Sequence, residues 1–252
     1  QNVYKCLDNS TSDELLNNAM SFFSYELFKD VFDCTLIGHK KGYTAHTSNL
    51  GYLYQHGIGI KKNINKAIEL SEIAAIKGDS NAMNTLGFIY EGNDGVKQNI
   101  NKSLKYYLDA AELRNIDSYY NLGRLYENEN FEFFDHKLSI EYYQKGVNQN
   151  SVQSAYNLAI KYFEGDGISQ NYEEAYHLFK KGYELGDPGS TNYLGIFYDN
   201  GHYVEQNTDI AINYYTEATD LGDYSSPWNL YLIYRDYPEY INSWLSLKYL
   251  NL

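Results

Sequence analysis

Basic residues are scarce in this sequence, and arginine is the scarcest of them. The 252 residues include 20 lysines and arginines against 33 aspartates and glutamates, which gives a formal net charge of −13. The arginines are Arg114, Arg124 and Arg235. An acidic surface repels phosphate backbones, and arginine is the side chain best suited to bind phosphate. The composition therefore argues against nucleic acid as a partner.

Cysteine is nearly absent as well. Cys6 and Cys34 are too few for a disulfide framework or a zinc-ligand set. A single bridge between them would be allowed in an oxidising compartment, but the sequence alone favours two free buried thiols.

Long apolar runs are also missing. No window approaches 18 consecutive apolar residues, so no transmembrane segment is predicted. Hydrophobic residues make up 43% and prolines number 3, so the chain is expected to fold around a core. A leader removed before Gln1 would place the protein in the endoplasmic reticulum, the secretory route or outside the cell, and a cytoplasmic location would follow otherwise. The sequons at Asn9 and Asn101 leave the compartment open, because such short motifs are frequent in an Asn-rich sequence.

The sequence does contain a repeat with a period of 36 residues. Positions in a repeat are counted from its leucine, so that +1 is the next residue, usually glycine, and +4 is always tyrosine. The repeat leucines are Leu50, Leu86, Leu122, Leu158, Leu194 and Leu230. The tyrosines are Tyr54, Tyr90, Tyr126, Tyr162, Tyr198 and Tyr234.

Each repeat is predicted to form two helices, helix A around the leucine and helix B after a loop, for example residues 81–91 and 99–112. Asn or Asp at +13, such as Asn99, is suited to cap helix B, and glycines such as Gly78 are suited to end it. The +1 glycine and a small residue at +17 are predicted to let the two backbones approach. One helix pair cannot cover its own apolar faces, so the predicted fold is an all-α, α/α superhelical solenoid.

The predicted organisation is a degenerate N-terminal capping repeat at residues 1–43 followed by six repeats. The capping helices are expected at 13–23 and 24–41, and those of the truncated last repeat at 228–234 and 240–250. The six repeats are 44–79, 80–115, 116–151, 152–187, 188–223 and 224–252.

The segment from Ala82 to Lys102, with Ser103 where the motif has alanine, resembles the Sel-1-like repeat, a relative of the tetratricopeptide repeat. The resemblance extends over residues 44 to about 250. It implies a right-handed superhelix whose concave face, lined mainly by helix A, binds a protein or peptide. Two repeats depart from the motif: residues 129–134 replace the loop glycines of the third repeat, and Tyr203 replaces the second loop glycine of the fifth.

Catalytic, metal and cofactor sites are not predicted. The Gly57-Ile58-Gly59 loop follows a predicted helix and recurs along the chain, so it is interpreted as the turn between helices A and B and not as a dinucleotide-binding loop. The histidines lack metal-ligand spacing, and no Ser- or Cys-based catalytic motif is present.

If the superhelix matches the family, positions −2, +2 and +5 of helix A face the concave surface. Aromatic groups, amides and an arginine at these positions are typical of interfaces. The predicted protein- or peptide-binding residues are Tyr52, Asn84, Phe88, Tyr120, Arg124, Tyr156, Phe163, Asn192 and Trp228. The alternative is that several of them only pack between neighbouring A helices.

The sequence thus predicts a non-enzymatic scaffold or adaptor. An alternative is a stably integrated subunit of a larger, membrane-associated or soluble complex that contacts it through the convex face or residues 129–134. A hydrolytic or glycan-processing enzyme is a less favoured hypothesis, since it would need a convergent pair of acids in the groove.

Overall fold

The computed structural model describes residues 6–236, and this part of the chain is built of α-helices without a strand. The fold class predicted from the sequence, an all-α array of helix pairs, is confirmed. The helices are α1 (Ser12–Ser24), α2 (Phe28–Lys40), α3 (Thr44–His56), α4 (Ile64–Ile76), α5 (Ser80–Tyr90), α6 (Ile100–Glu112), α7 (Ile116–Tyr126), α8 (His136–Asn148), α9 (Val152–Glu164), α10 (Tyr172–Glu184), α11 (Pro188–Asn200), α12 (Thr208–Asp220) and α13 (Ser226–Asp236).

The chain divides into two compact units, Gln1–Leu122 and Gly123–Leu252. In the first unit α1 packs on α2, α2 on α3, α3 on α4, α4 on α5 and α5 on α6. In the second unit the same sequential packing links α8 to α9 and continues from α9 to α13. Odd-numbered helices from α3 onward are the A helices of the repeats, and even-numbered helices from α4 onward are the B helices. The helix B predicted at 240–250 lies outside the described residues.

Side-chain caps begin most of these helices. The +13 residues cap helix B as predicted; Asn99 Oδ1, for example, accepts a hydrogen bond from the backbone N–H of Lys102 at 3.0 Å. The residue that follows the left-handed turn after helix B caps the next helix A in the same way: Asp79 accepts a hydrogen bond from Ala82 N, and Asp187 accepts one from Ser190 N. Each such cap satisfies one of the backbone donors that a helix start leaves free.

Residues with a left-handed backbone conformation (positive φ) follow the B helices and form the turn to the next helix A. Gly78, Gly186 and Gly222 have φ of 84°, 81° and 96°, a region that costs glycine little. Arg114 and Asn150, which replace this glycine in two repeats, are held at φ of 59° and 62°. These two repeats therefore keep the left-handed turn without its preferred residue.

The core of a repeat forms where helix B lays an aromatic ring on the +1 glycine of helix A. Tyr107, Tyr143 and Tyr215, all at +21, are fully buried. A Cβ on Gly87 would lie 2.6 Å from the Tyr107 ring, and a Cβ on Gly123 would lie 2.5 Å from the Tyr143 ring. The sequence predicts a contact of this glycine with the small +17 residue, whereas in these repeats the ring at +21 lies nearest to it.

In three repeats a second ring pair forms on the side of the +4 tyrosine. Tyr90 stacks on Tyr106 with centroids 5.9 Å apart, Tyr126 stacks on Tyr142 at 5.5 Å, and Tyr198 stacks on Tyr214 at 5.7 Å. Offset stacking of this kind adds to the free energy of burial. Much of the high tyrosine content is thereby used inside the repeats.

The interpretation of Cys6 and Cys34 as free thiols is wrong. The two residues form a disulfide, with Cα atoms 5.2 Å apart. Cys34 lies on α2 at 1% exposure, and the segment before α1 brings Cys6 beside it. Spacing in the sequence could not reveal this approach because it depends on how α1 folds back on α2. The bridge ties the N-terminal segment to the capping helices.

The left-handed turn at Arg114 yields a stability prediction. We expect Arg114→Gly to stabilise the protein by about 1 kcal/mol, because a β-carbon in this region costs about 1–2 kcal/mol and the extra freedom of glycine in the unfolded chain offsets part of the gain. Urea unfolding midpoints measure the change.

Two variants serve as controls for it. Asn150→Gly should gain less stability than Arg114→Gly, because asparagine tolerates the left-handed region. Gly78→Ala should lose stability because of its positive φ, although its Cβ would meet nothing within 4 Å. A loss of stability on Arg114→Gly would contradict the explanation by backbone strain.

Candidate functional site

All nine predicted binding residues lie on A helices. Three are exposed, namely Tyr52 at 46%, Phe88 at 38% and Trp228 at 61%, and the others are half-buried or buried. Their positions are Tyr52 on α3, Asn84 and Phe88 on α5, Tyr120 and Arg124 on α7, Tyr156 and Phe163 on α9, Asn192 on α11 and Trp228 on α13.

The first unit brings Tyr52, Asn84 and Phe88 together. They line a cleft of about 180 Å³ between α3 and α5, with Gln55 and Thr85 on its walls. The Tyr52 ring lies over the His56 ring with centroids 4.0 Å apart, which holds the tyrosine at the rim. Two exposed aromatic rings therefore flank one cleft.

A second cleft, of about 320 Å³, adjoins the first along the same two helices. Tyr52, Asn84 and Thr85 line both clefts. The remaining lining residues of the second cleft are Ser48, Asn49, Asn81 and Asp117. The two together are called the helix A cleft. Its walls are mostly amides and hydroxyls, with aromatic rings at one side.

Amide pairs join neighbouring A helices. Asn121 Nδ2 donates to Asn84 Oδ1 at 2.9 Å in the first unit. Asn229 Nδ2 donates to Asn192 Oδ1 at the same distance in the second, where Ser226 Oγ also donates to Asn192. Asn192 is 5% exposed, so its side chain holds α11 to α13. Asn84 has the same role and also lines the cleft.

Position +5 is largely occupied by contacts within the protein. Tyr107 Oη donates to Glu91 at 2.6 Å, Tyr143 to Glu127 at 3.0 Å, and Tyr215 to Asp199 at 3.3 Å. Burial raises the pKa of Asp199, and the hydrogen bond from Tyr215 offsets this only in part. Burial, together with Asp199, raises the pKa of Tyr215 as well.

This pairing was missed from the sequence, although a signal for it is present. Each acidic +5 residue is accompanied by tyrosine at +21 in the same repeat. Where +5 is Phe163, position +21 is Phe179, and where +5 is Gln55, position +21 is Ser71. In the acid–tyrosine pairs and in the pair Phe163–Phe179 the two side chains are in contact, which explains why the residue types at +5 and +21 change together.

Tyr156 and Phe163 are packed in an aromatic cluster of the second unit. Phe163 lies 5.4 Å from Tyr193 and 5.6 Å from Phe197, centroid to centroid. A Cβ on Gly189 would lie 2.7 Å from the Tyr156 ring. Burial, with nearby acidic and phenolic groups adding to it, raises the pKa of Tyr156 to about 12. Both residues thus contribute to packing between helices.

The repeat motif and these contacts coincide with a known family. The Sel1 repeat model matches residues 48–79, 80–115, 116–151, 152–187 and 188–223. The chain belongs to the Sel1 repeat family. Proteins built of Sel1 repeats generally mediate protein–protein interactions.

Several solved structures resemble this one. A Sel1 repeat protein from Oxalobacter formigenes superposes with a TM-score of 0.77 at 22% identity, over 87% of this chain and 89% of that one. The immunity protein PA5088 from Pseudomonas aeruginosa gives a TM-score of 0.61 at 16% identity, over 88% of each chain. These similarities show the fold. No match is found among curated proteins.

The second of the two compact units also contains an ion network around a buried lysine. Lys161 is 4% exposed, and its Nζ lies 3.0 Å from Glu127 Oε2 and 2.9 Å from Asp166 Oδ2. Burial alone would lower the pKa of Lys161, but hydrogen bonds with Asp166 and Glu127 outweigh it and raise the pKa. The lysine pairs with both carboxylates at once and so ties the loop after α9 to Glu127 at the end of α7.

Within residues 6–236 no group of three or more histidines, cysteines or acidic residues is placed to hold a metal ion. Over the same range none of the helices has both the length and the apolarity needed to cross a membrane.

Asp94 links two Sel1 repeats next to the cleft. It accepts hydrogen bonds from Gln55 Nε2 and Lys62 Nζ, each at 2.7 Å. Burial alone would raise the pKa of Asp94, but the bonds from Lys62 and Gln55 outweigh it and hold the pKa below its usual value. A lowered folded-state pKa means that the ionised carboxylate stabilises the fold above the unfolded-state pKa.

We therefore predict that Asp94→Asn destabilises the protein at neutral pH. The stability gap to the wild type should shrink as the pH falls through and below the ordinary aspartate range, because the wild-type carboxylate is then protonated too. Urea unfolding at several pH values measures the gap. Asp8→Asn, which removes an exposed carboxyl, is the control, and a gap for Asp94→Asn that is constant with pH would contradict the assignment.

Proposed function

We propose that this protein is a non-enzymatic interaction scaffold that binds a protein or peptide partner through the helix A cleft of its first unit. The observation that supports this most is the pair Tyr52 and Phe88, two exposed aromatic rings on either side of one cleft. Exposed aromatic side chains beside a concave surface are the usual anchors of protein interfaces.

The polar lining of the cleft supports the same function. Asn49 and Thr85 make no side-chain hydrogen bond with any described residue, in contrast to Asn84, which is bonded to Asn121. Donors and acceptors left open beside aromatic rings are suited to a partner's polar groups. They have no evident role in holding the repeats together.

The other predicted binding residues differ in how well they support binding. Trp228 stacks on Tyr231 at 5.1 Å and stays largely exposed, so it is proposed as a separate contact in the second unit. Tyr120 and Arg124 stay in the proposal as half-buried residues of α7. Changes at Tyr156, Phe163 or Asn192 would disturb packing, which makes them poor probes of binding.

A non-enzymatic role is supported by the state of the acids. Glu127 and Asp166 of the second unit are both ion-paired with the buried Lys161, which holds the two carboxylates in their ionised form. Such a pair is poorly suited to exchange protons with a substrate. Integration into a larger complex through residues 129–134 is the alternative, for which the 36% exposure of Phe134 is the supporting observation.

The disulfide bears on the compartment. Bridges such as Cys6–Cys34 form and persist mainly in oxidising environments. We therefore favour the secretory or extracellular location over the cytoplasm.

The double variant Tyr52→Ala/Phe88→Ala tests the proposed function. The wild type and the double variant are each used to purify bound proteins from an extract of the source cells, and the bound proteins are quantified by mass spectrometry. We expect proteins that the double variant recovers at least tenfold less than the wild type does. Loss of one aromatic anchor commonly costs about 2 kcal/mol or more of binding free energy, which exceeds a factor of ten.

The matched control is Ile76→Ala, which removes an 87% exposed apolar side chain from α4 outside the cleft. Ile76→Ala should recover the same bound proteins in the same amounts as the wild type. The circular dichroism spectra of both variants should equal that of the wild type. Equal recovery by the double variant would overturn the assignment of binding to the helix A cleft.

A further inference from the structure

We propose that the partner of this site is an extended peptide segment with an apolar side chain and, about six residues away, a basic one. The inference rests on the proposed function and specifies its ligand. Three features of the first unit carry it: an apolar pocket beside the capping helices, an amide-lined channel continuous with that pocket, and a carboxylate at the far end.

The apolar pocket lies where the capping helices α1 and α2 meet α3. Its volume is about 210 Å³, and its walls are Leu16, Ala19, Met20, Phe23, Val31 and Leu53, with Thr35, Asn49 and Tyr52 completing the lining. Met20 is 72% exposed and Phe23 is 49% exposed at its mouth. An apolar cavity of about 150 Å³ is enough to take up benzene, so this pocket has room for one large apolar side chain.

The pocket continues into the helix A cleft. Tyr52 and Asn49 line the pocket and also the larger cleft. Beyond them follow Asn81, Asn84 and Thr85, whose side chains offer both donors and acceptors. An extended peptide carries one backbone donor and one acceptor per residue, and amides along a channel can bond both.

The far end of the channel is negatively charged. Asp117, in the first turn of α7, is exposed and makes no hydrogen bond or ion pair with any described residue. Within the described part of the chain, neither the pocket nor the clefts are lined by lysine or arginine. The helix N-terminus moderates the field of Asp117 without cancelling it. The protein's net charge of −13 adds to the attraction for a basic group.

The spacing follows from the repeat geometry. Packed helices lie about 8–10 Å apart, so two steps from α3 to α7 span about 20 Å. An extended chain advances about 3.3 Å per residue, and about six residues cover that distance. A second copy of this chain is a poor occupant by comparison, because it would bring another net charge of −13.

A phage-displayed library of random 12-residue peptides, panned on the wild-type protein, tests the proposal. Enriched sequences should combine Leu, Ile, Met or Phe with Lys or Arg about six residues away. For a synthetic consensus peptide, fluorescence anisotropy should give a Kd at least tenfold weaker with Met20→Lys and about three- to tenfold weaker with Asp117→Asn. The affinity of the consensus peptide for the Asp117→Asn variant should also depend less on salt concentration than its affinity for the wild type.

Ile76→Ala is again the control and should bind the consensus peptide as the wild type does. Enriched peptides without this pattern would overturn the inference and leave the proposed function standing. Peptides whose binding is lost with Tyr52→Ala/Phe88→Ala but kept with both Met20→Lys and Asp117→Asn would also overturn the inference and leave the proposed function standing. Enrichment of no peptide overturns the inference, and the purification experiment then decides the proposed function by itself. A dimer in light scattering that Met20→Lys abolishes would identify a second copy as the occupant and overturn the inference.

Discussion

Three of the repeats depend on the contact of a helix B aromatic ring with the glycine beside the repeat leucine. The Tyr107 ring lies where a side chain at Gly87 would have to be, and Tyr215 lies in the same way over Gly195. A buried tyrosine must also satisfy its hydroxyl. The acid at +5, Glu91 or Asp199, accepts that hydrogen bond, so three separated positions form one packing unit.

In the repeat of Phe88 this contact decides which side of helix A packs on helix B and which side is exposed. With Gly87 and Glu91 turned toward helix B, Phe88 is left exposed at the cleft. Tyr52 is exposed at the same cleft, although its own repeat has Gln55 and Ser71 in place of the acid and the ring. The amide pair of Asn84 and Asn121 then sets neighbouring A helices side by side. The proposed binding surface therefore depends in part on how the repeats close their own cores.

Much of the fold could be predicted from the sequence because the repeat samples each position several times. Helix caps at Asn63 and Asn99 and the turn at Gly78 follow from local chemistry alone. The pairing of Cys6 with Cys34 could not be predicted, since it depends on the fold of a capping repeat that lacks the motif. The candidate site was predicted only in part. Periodicity places Phe163 and Tyr52 on the same kind of helix, but only their neighbours decide that the first is packed and the second exposed.

A double-mutant cycle on Gly87 and Tyr107 tests the central contact most directly. In the wild type, Gly87→Ala should lower the free energy of unfolding by about 1–3 kcal/mol through overpacking, although alanine favours helix. In a Tyr107→Ser background, which copies the natural pair Gly51 and Ser71, the same change should cost far less or become stabilising. An equal cost of Gly87→Ala in both backgrounds would contradict the account, because the glycine would then be needed for a reason other than the ring.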